Sequence, residues 1–175
     1  MNKVSNLPEF KLTTRQLAIS GMLGAIAMIL GATRLGFIPV PTPAGSATIM
    51  HIPAILGGIL EGPIVGGLVG LIFGIYSFVN ATNPIFADPL VAIFPRIFIG
   101  VVAYYSYKHL WKNSALAAAL GTITNTIGVL GLATLRGYLP LKVSITIGFV
   151  HGTPEVVVAI LIVTILVKAL KKAGY

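Results

Sequence analysis

Residues 47–79 read ATIMHIPAILGGILEGPIVGGLVGLIFGIYSFV, and Glu61 is the sole charge in the stretch. Two apolar segments joined by Glu61-Gly62-Pro63 predict a helical hairpin in a membrane. Glycine accepts the positive φ that ends one helix, and proline is pre-set for the first position of the next. Gly66, Gly70 and Gly74 recur at four-residue spacing, which strips one face of the second helix and lets a neighbouring backbone approach closely.

Composition carries the same message along the rest of the chain. With 56% hydrophobic and 9% charged residues, the stock of polar side chains cannot cover a soluble domain, so lipid must do so. Cysteine is absent, which excludes disulfides, thiol catalysis and thiolate metal sites. Nucleic acid is excluded as a partner for so apolar a chain despite its net charge of +8.

Uncharged runs predict an all-α, polytopic bundle of six transmembrane helices, near residues 15–33, 47–61, 63–80, 89–110, 114–135 and either 143–171 or 154–171. A spanning helix needs about 20 residues, so the second is short for that task. Basic residues set the orientation, because lysine and arginine stay on the cytoplasmic side of short loops. With both termini cytoplasmic, the inner side holds Lys3, Lys11, Arg15, Lys108, Lys112, Lys168, Lys171 and Lys172, against Arg34, Arg136 and Lys142 outside. Residues 1–175 then form a single integral membrane domain with a cytoplasmic N-terminal segment over 1–14. Full spanning length and five later spans argue against a cleaved signal peptide at the first helix.

Residues 34–46 contain Pro39, Pro41 and Pro43, a pattern that keeps backbone extended and excludes helix. This extracellular segment reads either as a lid over a cavity or as a rigid connector. Neither it nor residues 1–14 can fold independently, and no Gly-x-x-x-x-Gly-Lys loop is present, so ATP-driven work falls to a partner.

Polar groups within spans are the functional candidates, since burying an ionised residue at the bilayer centre costs about 2.5 to 3.5 kcal/mol or more. Arg96 lies about 10 Å below the outer end of its helix at helical rise. It follows Pro95, whose missing N–H leaves the Val91 carbonyl without its usual partner. Three readings stay open for Arg96: a fork that clamps a carboxylate or phosphate, an internal pair with Glu155, or snorkelling to headgroups. His151-Gly152-Thr153-Pro154-Glu155 allows either a long sixth helix kinked at Pro154 or a helix starting there with Thr153 as cap. Glu155 is accordingly a ligand contact or a complement to a helix end.

His51 and His151 both fall on the outer side, with Thr48 and Ser46 near the former, and each is either a ligand contact or an interhelical hydrogen-bond donor. Asn125 sits near the midplane among threonines, where its amide suits a small polar molecule or a neighbouring helix. Asn83 belongs to an outer loop with Asn80 and Asp88, whose default reading is a solvated turn. Ser20, Gly21, Gly24 and Ala25 form small-residue pairs on the first helix, a docking strip for another helix of this chain or for a partner membrane subunit. No spacing resembles a metal site.

Taken as a set, these segments resemble the substrate-binding S components of energy-coupling factor (ECF) vitamin transporters, most closely the pantothenate-type group. The resemblance rests on the Gly21 to Ala25 strip, which looks like the family's Ala-x-x-x-Ala docking motif, on Ala47 to Pro53, and on Gly62-Pro63 with its spaced glycines. Phe94 to Gly100 and His151 to Glu155 complete the set. It implies a multi-pass protein of the prokaryotic plasma membrane that captures a water-soluble vitamin in its outer half beneath the loop between helices 1 and 2. It also implies a transmembrane coupling subunit and two ATPase subunits as partners, with ATP used by those partners and no cofactor in this chain. Pantothenate would match its carboxylate to Arg96, and its hydroxyls and amide to Asn125 and a histidine. Riboflavin, folate or a pyridoxine-like compound are the alternative ligands. A membrane-embedded enzyme using His51, His151, Glu155 and Arg96 is the competing class, and it lacks a convincing nucleophile or metal.

Overall fold

The computed structural model describes residues 12–33, 35–39 and 46–175. Helix α1 (Thr14–Ala32) opens on a capping box in which Thr13 Oγ1 accepts the Gln16 amide at 3.2 Å and Gln16 Oε1 accepts the Thr13 amide at 3.1 Å. Strands β1 (Phe37–Pro39) and β2 (Ser46–Thr48) then pair antiparallel, with Phe37 opposite Thr48. Pro39 is thus extended, as its type requires. The expected lid at 34–46 lies outside the described residues at Arg34 and 40–45, as do residues 1–11.

Helix α2 (Ile52–Glu61) starts later than the expected residue 47. A helix begun at 47 would need an N–H from Pro53 to bond Ile49, and proline has none; at the second helical position the loss costs nothing. At 10 residues α2 is about 15 Å long, and Ile52 through Ile59 are all buried. It is a core helix and not a lipid-facing span: it touches each of the other five helices.

Gly62 takes φ +107° and Pro63 opens α3 (Pro63–Val79), so the hairpin turns as its residues predict. The glycine face of α3 lies on α4 (Pro89–His109). A Cβ on Gly66 would sit 2.8 Å from the Gly100 Cα, one on Gly74 2.8 Å from the Ile93 Cα, and one on Gly70 would strike the Arg96 carbonyl. Between these helices Pro84–Ala87 form a 3₁₀ turn.

Helices α5 (Ser114–Leu135) and α6 (Leu141–Lys172) complete the bundle. The two readings of His151 to Glu155 resolve in favour of one continuous helix with Pro154 inside it. Thr153 is exposed and caps nothing, while Gly152 packs against Thr126 and holds the helix on α5 through the proline. At 32 residues α6 is about 48 Å long, well beyond the roughly 30 Å of hydrocarbon. Four helices, α1, α4, α5 and α6, are long and apolar enough to cross a bilayer. Arg15 pairs with Glu61 at 2.8 Å and Tyr175 contacts the same carboxylate, so both described ends of the chain lie at the α2–α3 turn. The opposite end carries Asp88.

Candidate functional site

His51 is fully buried at the start of α2, and its Nε2 lies 2.9 Å from Thr122 Oγ1. The Thr122 hydroxyl donates its one proton to the Ala118 carbonyl at 2.9 Å, so it accepts from His51. The hydrogen-bond network therefore assigns the proton to Nε2 and leaves Nδ1 with a lone pair and no partner among the described residues. One turn along α5, Asn125 is buried with its Oδ1 likewise unpartnered.

Arg96 is 3% exposed, which removes the snorkelling reading. Its Nη1 donates to the Val91 carbonyl at 2.6 Å, the acceptor that Pro95 leaves free. The guanidinium lies over the Phe86 ring at 4.9 Å and the Phe73 ring at 5.6 Å, and its Nε is buried without a partner among the described residues. The internal pair with Glu155 does not form among the described residues. Glu155 is committed elsewhere: its Oε1 accepts from the Thr48 amide at 3.0 Å, from the Thr48 hydroxyl, and from His151 Nε2 at 2.9 Å. Glu155 thus ties β2 to α6. Both Glu155 and Arg96 lie within electrostatic reach of His51.

The fold therefore gathers His51, Arg96, Asn125, Glu155, Thr48 and His151 around the start of α2. Asn83 stays outside: it is exposed and caps the 3₁₀ turn by accepting the Ile85 amide at 3.0 Å. The phenylalanines that cover Arg96 and the role of the Thr122 hydroxyl are not legible in the sequence, because an apolar ring or a threonine in an apolar chain carries no positional signal.

Asp88 corrects the solvated-turn expectation, being buried and paired. One carboxylate oxygen caps α4 through the Leu90 amide at 2.9 Å, and the other accepts from Arg136 Nε at 2.8 Å and Tyr138 OH at 3.2 Å. The Arg136 hydrogen bond leads in holding the Asp88 carboxyl below its ordinary value, and the same bond raises Arg136. Aspartate directly before Pro89 was the available cue to a capped helix start.

The small-residue strip of α1 divides. Ser20 and Gly24 are buried; Ser20 Oγ donates to the Gln16 carbonyl at 2.8 Å, and a Cβ on Gly24 would lie 2.6 Å from Ile72 of α3. Gly21 is exposed with nothing near it, and Ala25 is half-buried. A cleft of about 760 Å³ opens between α5 and α6, and one of about 550 Å³ between α1 and α6 over α2. Both are apolar, and neither is lined by Arg96, His51, Asn125 or Glu155.

Comparison with known proteins adds two findings. Residues 15–167 match the family model described as "ECF transporter, substrate-specific component". The pantothenic acid transporter PanT of Lactococcus lactis subsp. cremoris (strain MG1363) is 33% identical over 153 residues, covering 72% of this chain and 78% of that protein.

Proposed function

We propose, from the premise that this chain belongs to the family of substrate-specific components of ECF transporters, that it binds pantothenate at the cluster around His51. The family is one of transporters, so the enzyme reading falls away. The observation that carries the site is that three of the four buried side-chain polar atoms without partners among the described residues, Arg96 Nε, His51 Nδ1 and Asn125 Oδ1, belong to this cluster. A native protein seldom leaves such groups unmatched, and a ligand is one means of matching them. They amount to a cationic donor and two acceptors, which suits a molecule with one carboxylate and hydroxyl or amide donors. Pantothenate has that pattern, and the named relative transports it.

On this reading the Asp88 end faces outward and both described termini face the cytoplasm, in keeping with the excess of lysine at the Glu61 end. The Thr48 to Glu155 contacts hold the hairpin of β1 and β2 beside the site. Gly21 and Ala25, the exposed side of the α1 strip, face a transmembrane coupling subunit, and two partner ATPases supply the energy for delivery.

Calorimetric titration of purified protein with pantothenate tests the assignment. Arg96→Ala weakens binding by roughly ten- to hundredfold, the range for a hydrogen bond to a charged group, while Asn83→Ala leaves it unchanged. Unaltered affinity in Arg96→Ala removes Arg96 from the site. Native mass spectrometry of the purified chain identifies a co-purified vitamin, and riboflavin, folate or a pyridoxine-like mass would reassign the ligand. The absence of native cysteine makes single-cysteine accessibility labelling at Thr82 and Lys112 a clean test of orientation.

A further inference from the structure

The Glu61 end of the bundle concentrates cations. Lys108, His109 and Lys112 close α4 and the turn after it, and Lys168, Lys171 and Lys172 close α6. Glu61 is the one acid at this end among the described residues, and Arg15 occupies it. None of the six basic residues forms an ion pair among the described residues.

Their placement is specific. Tyr104, Tyr107 and Lys108 share one face of α4, and Trp111 follows in the turn just past the helix. Lys108 Nζ lies 5.6 Å from the Tyr104 ring centre, and Lys171 reaches across from α6 to lie 5.1 Å from the Tyr107 ring centre and to donate to its hydroxyl. Tyr104 and Tyr107 thus each hold one ammonium group, Lys108 against the ring and Lys171 at the hydroxyl. Trp111 and Lys112 both take φ 51°, a left-handed conformation that side-chain-bearing residues seldom adopt. That turn leaves Trp111 87% exposed.

The length of α4, 21 residues or about 32 Å, matches the roughly 30 Å hydrocarbon core, so Lys108, Trp111 and Lys112 emerge at headgroup level. We infer that this face binds the phosphate of an anionic phospholipid, with Lys108, Lys112 and Lys171 as the cationic contacts and Trp111 in the interface beside them. Lysines without an ion pair among the described residues meet the phosphate charge, the two tyrosines keep two of them at the membrane boundary, and the indole takes the boundary position that tryptophan favours. The site lies at the opposite end of the bundle from Asp88 and is independent of vitamin binding.

Trp111 is the sole tryptophan of the chain, so its fluorescence reports on this site alone. The full-length protein is reconstituted with brominated phosphatidylglycerol or brominated phosphatidylcholine, and quenching is followed against mole fraction. Phosphatidylglycerol quenches at a several-fold lower mole fraction. Each of Lys108→Gln, Lys112→Gln and Lys171→Gln raises the half-quenching fraction about fivefold, from the contribution of one basic residue at an anionic surface. Lys142→Gln, at the other end, leaves it unchanged. Equal quenching by the two lipids overturns the inference, as does an equal effect of Lys142→Gln. Displacement by inorganic phosphate would assign the site to free phosphate and equally overturn it. Should the lysine variants fail to fold, the comparison of the two lipids on unmodified protein decides the matter.

Discussion

The seam between α3 and α4 and the seam between α5 and α6 use glycine to opposite ends. In the first, Gly66, Gly70 and Gly74 face backbone, and the two helices meet with no room for a side chain. In the second, Gly131 has nothing within 4 Å and Gly148 meets only the end of Leu130, and the helices part around a cleft of about 760 Å³. Helices in lipid associate through packing and hydrogen bonds, since apolar surface gains little by leaving lipid for protein. A glycine facing a backbone therefore strengthens a contact, and a glycine facing lipid merely omits one. The tight seam seats the backbone of Arg96 against Gly70, and the loose one is closed where Gly152 meets Thr126 and where Thr134 bonds Ser144.

The largest expected effect breaks the tight seam. Gly100→Val would drive side-chain atoms into Gly66 and the Ala54 carbonyl, at a cost of about 3 kcal/mol or more. Thermal scanning by size-exclusion chromatography checks this, and a wild-type profile would contradict the seam. Next, Glu155→Ala strands the donors of Thr48 and His151, at roughly 1 to 3 kcal/mol, which hydrogen exchange at the Thr48 amide registers as a faster rate. On the loose seam, Ser144→Ala removes its bond to Thr134 for about 0.6 kcal/mol, the average for such bonds between membrane helices.

The smallest effect is at the Asp88 end, where pH supplies the perturbation. Asp88 titrates below its ordinary value of 3.8, so its ion pair with Arg136 contributes fully above that value and is lost as pH falls through the lowered one. The unfolded chain takes up the proton first, and stability rises with pH across this window. Asp88→Asn flattens the thermal midpoint between pH 5 and about 3 relative to wild type, and parallel curves would place the titration elsewhere.

Much of this arrangement was legible because it depends on local chemistry. Gly62-Pro63 reads as a turn wherever it occurs between apolar runs, and Pro95 frees the Val91 carbonyl whatever packs nearby. The start of α2 falls at Ile52 and not at the expected residue 47, a shift for which Pro53 holds the cue. His151 to Glu155 could not be resolved, since Thr153-Pro154 starts a helix or kinks one according to whether α5 holds the preceding turn. Ser20 and Gly24 could not be told from Gly21 and Ala25, because small residues mark a close approach without saying to what.

Residue types read along the chain suffice to establish a membrane-embedded helical bundle with polar groups too few to be incidental, because hydropathy, proline and glycine act over short stretches of chain. It takes the packed bundle to fix which helix is central, which glycines meet backbone, and that Arg96 turns to Val91 and two phenylalanine rings while Glu155 turns to Thr48. Those pairings join residues tens of positions apart, and a buried charge takes whichever partner the packing of five other helices leaves within reach.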